Sequence, residues 1–236
     1  MKPPLTTDIS NNSSNPAGAS TTSRALRRCV ATELAVLGVC TPLFLLYAPR
    51  DAALYMALAA LFVCYVFLTR RHTAQHIWGA AATSQARRLR QSVWQLALFT
   101  ALNAALFAAW GIAHSQRVSA ASLLIAVCLY FPWALLQQGI FQFYLHGRLR
   151  VLLGHSPPWL PALLSGVAYG TVHFPNYELM LLTSLSGTLW GLVYQRDRLL
   201  WPIALSHAVL GSAYYHAVVG EDLVANVMAR LMPLLR

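Results

Sequence analysis

The feature of this chain that most limits its fold is a series of apolar segments, each close to 20 residues long and almost free of charged side chains. A helix needs about 20 residues to cross the roughly 30 Å of hydrocarbon in a bilayer. Charged residues make up 10% of the sequence, whereas a soluble domain carries about 25%. We therefore predict an all-α polytopic transmembrane helical bundle of about seven spans, within a range of about six to eight. The predicted spans cover residues 29–48, 52–69, 92–113, 119–138, 159–174, 178–194 and 199–219.

The basic residues lie mainly in the connectors between these segments. Of the 17 Lys and Arg residues, 13 fall on one side of the membrane if the N-terminus is cytoplasmic, and the connectors of the other side hold Arg50 and Arg117. This bias follows the positive-inside rule. It predicts a cytoplasmic N-terminus, and we expect the bacterial inner (cell) membrane as the location. Topology thus explains the net charge of +10, and we predict no nucleic-acid partner.

Residues 1–23 differ in composition from the rest of the chain. They are rich in Ser, Thr, Asn and Pro and contain no apolar run, which is typical of disordered segments. We therefore predict a disordered N-terminal tail at 1–23 and a single transmembrane bundle at 24–236, surrounded by membrane lipid.

Strongly polar side chains inside the apolar segments are the first candidates for function, because they are costly in hydrocarbon. Gln138 and Gln142 are four residues apart and share a helix face, with Gln137 beside them. One interpretation of these amides is structural, since Gln side chains form hydrogen bonds between membrane helices.

Two histidines lie in the later apolar segments. His173 closes a run in which Gly166 and Gly170 form a small-residue face, and this face predicts close helix packing. His207 lies near the middle of its segment, where a packing role explains it least well. The chain has seven acidic residues, and among them Glu178 alone lies close in sequence to either histidine. The chemistry available to the histidines is limited accordingly.

Three stretches follow one another in the order and spacing of a known set of motifs. The stretches are Gln137-Gln138-Gly-Ile-Phe-Gln142, Tyr169-Gly-Thr-Val-His173 and His207-Ala-Val-Leu-Gly211. Through them, residues 119–218 resemble the CPBP family of intramembrane proteases, which includes CAAX prenyl proteases and bacteriocin-processing, Abi-like proteins. That family carries Glu-Glu-x-x-x-Arg, then Phe-x-x-x-His, then His-x-x-x-Asn or Asp, so the first motif is Gln-Gln-x-x-x-Gln here.

The resemblance assigns roles to particular positions of this chain. The implied catalytic positions are His173, His207, Gln137, Gln138 and Gln142, and the implied substrate-binding positions are Asn176, Tyr169 and Glu178. In the family a glutamate is thought to activate water, and a neutral amide cannot accept a proton in its place. Losing both carboxylates and the arginine together leaves no unpaired buried charge. We interpret the site as a polar but uncharged cavity.

Three functions remain open at this point. The first is a CAAX-type endopeptidase acting on a peptide or protein C-terminal segment, with His173 or His207 as base and a glutamine donating to the oxyanion. The second is a non-catalytic pseudopeptidase that binds such segments, and the third is a small transporter or assembly factor. No cofactor is predicted. A metal bound by His173 and His207, with Glu178 recruited, is the less favoured alternative.

The predicted topology sets one condition on the site. Gln137 falls near the inner end of the fourth span, and His173 near the outer end of the fifth. The two can share a site only if the fourth helix is long or bent at Pro132, or if the fifth helix is sunken in the membrane.

Overall fold

A computed structural model of the chain describes residues 24, 26–39, 61, 86–116, 119–222 and 225. It separates two compact units, residues 1–49 and 50–236, and in the first of them residues 26–39 are helical. The predicted tail at 1–23 and all but one residue of the predicted span 52–69 lie outside the described residues, and the span 29–48 is described only as far as residue 39. The helices described below all belong to the second unit.

The described residues of the second unit form helices joined by short turns and contain no strand, which confirms the all-α prediction. We label the helices α1 to α6. They are α1 (Ala86–Ala113), α2 (Ala120–Gln138), α3 (His146–Leu153), α4 (Trp159–Thr171), α5 (Tyr177–Asp197) and α6 (Trp201–Tyr214), with π-helical segments at Gly139–Leu145 and Tyr215–Val219. α4 packs along α5, while α1 and α2 both pack against α6.

Within the described residues, two helices are long and apolar enough to cross a membrane. They are Arg90–Ala113 and Ala120–Leu153, and they correspond to the predicted third and fourth spans. The total of about seven spans stays a prediction.

The outer face of α1 is a continuous apolar stripe. Every fourth residue along it is a large hydrophobic side chain that is at least 52% exposed. The stripe consists of Trp94, Leu98, Leu102, Leu106 and Trp110. Soluble monomers rarely leave so large an apolar patch in water, whereas lipid chains solvate it without penalty.

The fourth predicted span is much longer than its apolar core. α2, the π segment Gly139–Leu145 and α3 run without a break as a helix of 34 residues, which is about 51 Å long at 1.5 Å per residue. Pro132 lies inside α2, and the helix continues through it. The hydroxyl of Ser165 on α4 donates to the carbonyl of Phe141 in the π segment, at 2.8 Å. The long helix therefore meets the first of the conditions for a shared site.

α4, by contrast, is short and lies very close to α5. It has 13 residues and is about 20 Å long. A methyl group added to Gly166 would come within 2.6 Å of Ser184 O on α5, and one added to Gly170 within 2.5 Å of Met180 O. The predicted close packing at these two glycines is confirmed, and it holds the end of α4 next to α5.

Candidate functional site

His207 lies at the centre of the polar residues of the bundle. It is 5% exposed on α6, with the Trp190 ring of α5 at a centroid distance of 5.3 Å. Its Nδ1 is 3.2 Å from Nε2 of Gln138 on α2. Its Nε2 is 3.3 Å from the Tyr130 hydroxyl and 2.7 Å from the Tyr169 hydroxyl. Both ring nitrogens of His207 therefore face neutral partners.

Tyr169 lies between the two histidines that the sequence singled out. Its ring makes edge-to-face contacts with His173 and with His207, each at a centroid distance of 5.5 Å. The side chain is fully buried, because α4 approaches α5 at the neighbouring Gly166 and Gly170. Tyr169 thus links the end of α4 to the middle of α6 in one site.

His173 lies in the turn after α4, and its surroundings fix its tautomer. Its Nδ1 is 3.2 Å from the carbonyl oxygen of Tyr169 and 3.3 Å from Thr183 Oγ1. The Thr183 hydroxyl already donates to Leu179 O at 2.6 Å, so both neighbours of Nδ1 act as acceptors. Nδ1 must therefore carry the hydrogen, and Nε2 keeps its lone pair.

His173 and His207 line a common cavity between α1, α2, α5 and α6. The cavity has a volume of about 80 Å³, which is enough to hold several water molecules. Its other polar lining groups include Asn103, Tyr130 and Thr183, and no acidic residue is among the side chains that line it. The predicted polar but uncharged cavity is thus consistent with the described part of the chain.

None of the three glutamines is among the residues that line this cavity, and each takes a different position in the bundle. Gln138 lies behind His207 and is fully buried. Gln137 accepts a long hydrogen bond of 3.5 Å from the Tyr130 hydroxyl. Gln142, in the π segment, is fully buried, and its amide donates to Gly187 O on α5 at 3.0 Å. Gln142 therefore links two helices, as the structural interpretation of the amides expected, while the catalytic roles of all three remain predictions.

Asn176 and Glu178 lie away from the cavity lining. Asn176 is exposed and caps α5, its Oδ1 accepting from the backbone N–H of Leu179 at 2.9 Å. Glu178 is exposed in the first turn of the same helix, where a carboxylate interacts favourably with the helix dipole. These positions account for both residues structurally, and their contact with substrate remains a prediction.

Tyr130 and Trp190 were not identified by the sequence reasoning. Tyr130 precedes Gln137 by seven residues, or two helical turns, so its place on the same helix face was visible in the sequence. Trp190 donates its indole N–H to Ser206 Oγ at 3.2 Å, and its ring covers His207. Only the packing of α5 against α6 reveals that contact.

Metal-ligand side chains do not gather at this site. Among the described residues, no group of three or more His, Cys, Asp or Glu side chains lies close enough to hold a metal ion. Glu178, which the sequence analysis considered as a third ligand, is exposed on the first turn of α5.

One comparison with known proteins gives a match. Residues 121–212, less than half of the chain, match the family model described as Type II CAAX prenyl endopeptidase Rce1-like. The matched region begins in α2 and ends in α6, so it includes Tyr130, the glutamines and both histidines. It confirms the resemblance inferred from the three motifs and supports assignment to the CPBP/CAAX protease family, whose members are membrane-embedded. No curated protein and no solved structure matches the chain.

Proposed function

Taking residues 121–212 as a CPBP/CAAX protease region, we propose that the chain is an intramembrane endopeptidase in which His173 replaces glutamate as the base. It takes a peptide or protein C-terminal segment into the cavity between α1, α2, α5 and α6. The observation that carries this proposal is the pair of acceptor oxygens beside His173 Nδ1. With Nδ1–H held by two acceptors, Nε2 has a lone pair available on a residue that lines the cavity.

The proposed reaction is hydrolysis of one peptide bond. His173 Nε2 accepts a proton from water while the water oxygen bonds to the carbonyl carbon. The C–N bond then breaks, and the imidazolium returns the proton to the leaving nitrogen. The Tyr169 carbonyl and the Thr183 hydroxyl next to Nδ1 stabilise the transient positive charge on the ring. The products are a carboxyl group and an amine, and the histidine is restored.

The setting of this reaction is part of the proposal. We propose a bundle of about seven spans in the bacterial inner membrane, with the N-terminus in the cytoplasm. The exposed apolar stripe of α1, the two helices long enough to span and the bias of basic residues support this setting.

A second candidate is binding without hydrolysis. The described cavity lining carries no carboxylate, and the glutamines at the family's glutamate positions cannot act as bases. These observations favour a pseudopeptidase that holds a C-terminal segment. They disfavour a proton-driven transporter, since proton relays in membranes normally use Asp or Glu.

The two candidates are separated by a cleavage assay on the full chain in liposomes. The probe is a fluorophore–quencher peptide that ends in a farnesylated Cys-aliphatic-aliphatic-X sequence. We expect the wild type to cleave it and His173→Ala to lose about 10²-fold or more in rate, the usual contribution of a positioned base. His155→Ala is the matched control, because His155 is exposed in the α3–α4 connector. Binding of the probe without cleavage by the wild type would support the pseudopeptidase and refute His173 as a base.

A further inference from the structure

The hydrogen bonds around His207 have a defined order of donors and acceptors, and the Gln138 side chain determines it. In the structure the amide nitrogen of Gln138 faces His207 Nδ1 at 3.2 Å. An amide nitrogen only donates, so Nδ1 is the acceptor. With the amide in this orientation, the neutral ring carries its hydrogen on Nε2.

The opposite orientation of the Gln138 amide is less favourable. Gln138 is fully buried, and its Oε1 has no hydrogen-bond partner among the described residues. Turning the amide over would place both of its N–H groups at that position. Unsatisfied buried N–H groups are rarer in proteins than unsatisfied carbonyl oxygens, so the observed orientation leaves the smaller penalty.

The Nε2–H of His207 in turn determines what the Tyr130 hydroxyl can do. Tyr130 Oη lies 3.3 Å from Nε2 and accepts from it. The Tyr169 hydroxyl is closer to Nε2, at 2.7 Å, but it is also 3.5 Å from Nδ1. It therefore approaches from the side of the ring and away from the axis of the N–H bond, which a good hydrogen bond requires. Tyr130 is left with its own proton to donate.

Among the described residues, the Tyr130 hydroxyl has Gln137 Oε1 as its acceptor, and Tyr130 also lines the cavity. Gln137 Oε1 is 3.5 Å away, at the long limit for an O–H donor. Tyr130 lines the cavity, whereas Tyr169 is fully buried. A carbonyl oxygen in the cavity could therefore take this proton at a shorter distance than Gln137 offers.

Gly211 makes room for Tyr130 in this position. A methyl group added to Gly211 on α6 would lie 2.7 Å from Cε1 of the Tyr130 ring. Any larger side chain at position 211 would push the ring away from His207, one turn earlier on the same helix. The position of the Tyr130 ring in the site therefore requires glycine at position 211.

We propose that Gln138, His207 and Tyr130 form a directed hydrogen-bond chain that presents the Tyr130 O–H to the carbonyl oxygen of a bound peptide. This inference rests on the proposed function of the cavity as a peptide site. Tyr130 is the group that touches the ligand, and Gln138 and His207 are positioning residues. The His207 N–H polarises the Tyr130 hydroxyl and strengthens its bond to a ligand oxygen. In hydrolysis the same contact stabilises the negative charge that develops on that oxygen.

The direction of the hydrogen-bond chain through Gln138, His207 and Tyr130 is tested first, without any ligand. In full-length protein labelled with ¹⁵N-histidine in liposomes, the nitrogen shifts of His207 report which ring nitrogen is protonated, and His207→Gln assigns the signals. We expect hydrogen on Nε2 in the wild type. In Gln138→Glu we expect it on Nδ1, because a carboxylate only accepts. Hydrogen on Nδ1 in the wild type would overturn the proposal.

The role of Tyr130 is tested with the farnesylated peptide probe. Tyr130→Phe keeps the ring and removes the donor, and we expect kcat to fall by about 10²-fold, as for loss of one oxyanion donor, and probe binding to weaken by about tenfold. The control is Tyr177→Phe, since Tyr177 is exposed at the start of α5. Normal kcat in Tyr130→Phe would refute the assignment of Tyr130 and leave hydrolysis by the wild type intact.

The same variants separate this inference from the proposed hydrolysis. If the wild type binds the probe but does not cleave it, hydrolysis is wrong. Tyr130→Phe should then still weaken binding by about tenfold, the effect of one lost hydrogen bond in a buried site. If the wild type binds without cleavage and Tyr130→Phe binds equally well, both proposals fail.

Discussion

Replacing Gly166 by Ala tests how far the site depends on the close approach of α4 to α5. A methyl group at position 166 would lie 2.5 Å from Thr188 N and 2.6 Å from Ser184 O. Both atoms belong to the α5 backbone, so no side-chain rotation relieves the overlap. Carbon makes comfortable contacts at about 3.5 Å, so the two helices must separate by about 1 Å.

That displacement has a cost in stability and a larger effect on the site. Overpacking of this kind typically costs about 1–3 kcal/mol. Tyr169 is three residues further along α4, with its hydroxyl 2.7 Å from His207 Nε2. A movement of about 1 Å would separate these two atoms and shift the Tyr169 ring against the His207 ring, whose centroids are 5.5 Å apart. Misplacement of an active-site group by about 1 Å can cost about 10²-fold in rate, and we expect a loss of that size in peptide cleavage.

The assay compares thermal unfolding in detergent and cleavage of the farnesylated peptide for Gly166→Ala and Gly139→Ala. Gly139 is the matched control, because a methyl group there meets no atom within 4 Å and Ala favours helix by up to about 1 kcal/mol. We expect a lower unfolding midpoint for Gly166→Ala and an unchanged or higher one for Gly139→Ala. Equal midpoints and equal cleavage rates for the two variants would show that α4 and α5 are not packed as described.

Three further substitutions or treatments probe individual groups. Asn176→Ala should destabilise the protein by about 1 kcal/mol through loss of the cap while Asn176→Asp retains stability, measured by thermal unfolding; a fall in peptide affinity in both variants would instead indicate substrate contact. Gln142→Glu should lower the unfolding midpoint more than Gln142→Leu, because a carboxylate would face the Gly187 carbonyl with no proton between them, at a cost of about 1–3 kcal/mol; the reverse order would contradict the observed amide orientation. Chelation by EDTA should leave peptide cleavage unchanged, and stoichiometric zinc in the purified protein would contradict the metal-free interpretation.

The helices of the second unit could be predicted from the sequence better than their ends. The apolar segment at 119–138 indicates which side chains can contact lipid, but the helix does not end where this segment ends. The stop comes at Gly154, which has a φ of 59°, just before the break at Pro157. Hydropathy reports the environment of the side chains and not the continuity of backbone hydrogen bonds. The sequence alone therefore does not predict how far this helix extends.

The site shows a similar division between what the sequence reveals and what it hides. His173 and His207 could be identified because imidazoles are unusual in apolar segments. Tyr130 could not, because tyrosine is common near membrane interfaces and is unremarkable in such a segment. Its importance depends on the space that Gly211 provides on α6, and one sequence does not show which residues of two helices face each other.

The shortness of α4 has a consequence for how water reaches the site. In the proposed membrane bundle, a helix about 20 Å long would not cross about 30 Å of hydrocarbon, so at least one end of α4 would lie below the membrane surface. The turn that holds His173 is suited to this depth, because the backbone N–H groups of His173, Phe174 and Asn176 all have carbonyl acceptors and Pro175 has no N–H. In the proposed site, water and peptide both enter the cavity between α1, α2, α5 and α6. A bulky residue beside the cleaved bond would displace the water that the reaction consumes, so hydration of the cavity would limit which peptides are substrates.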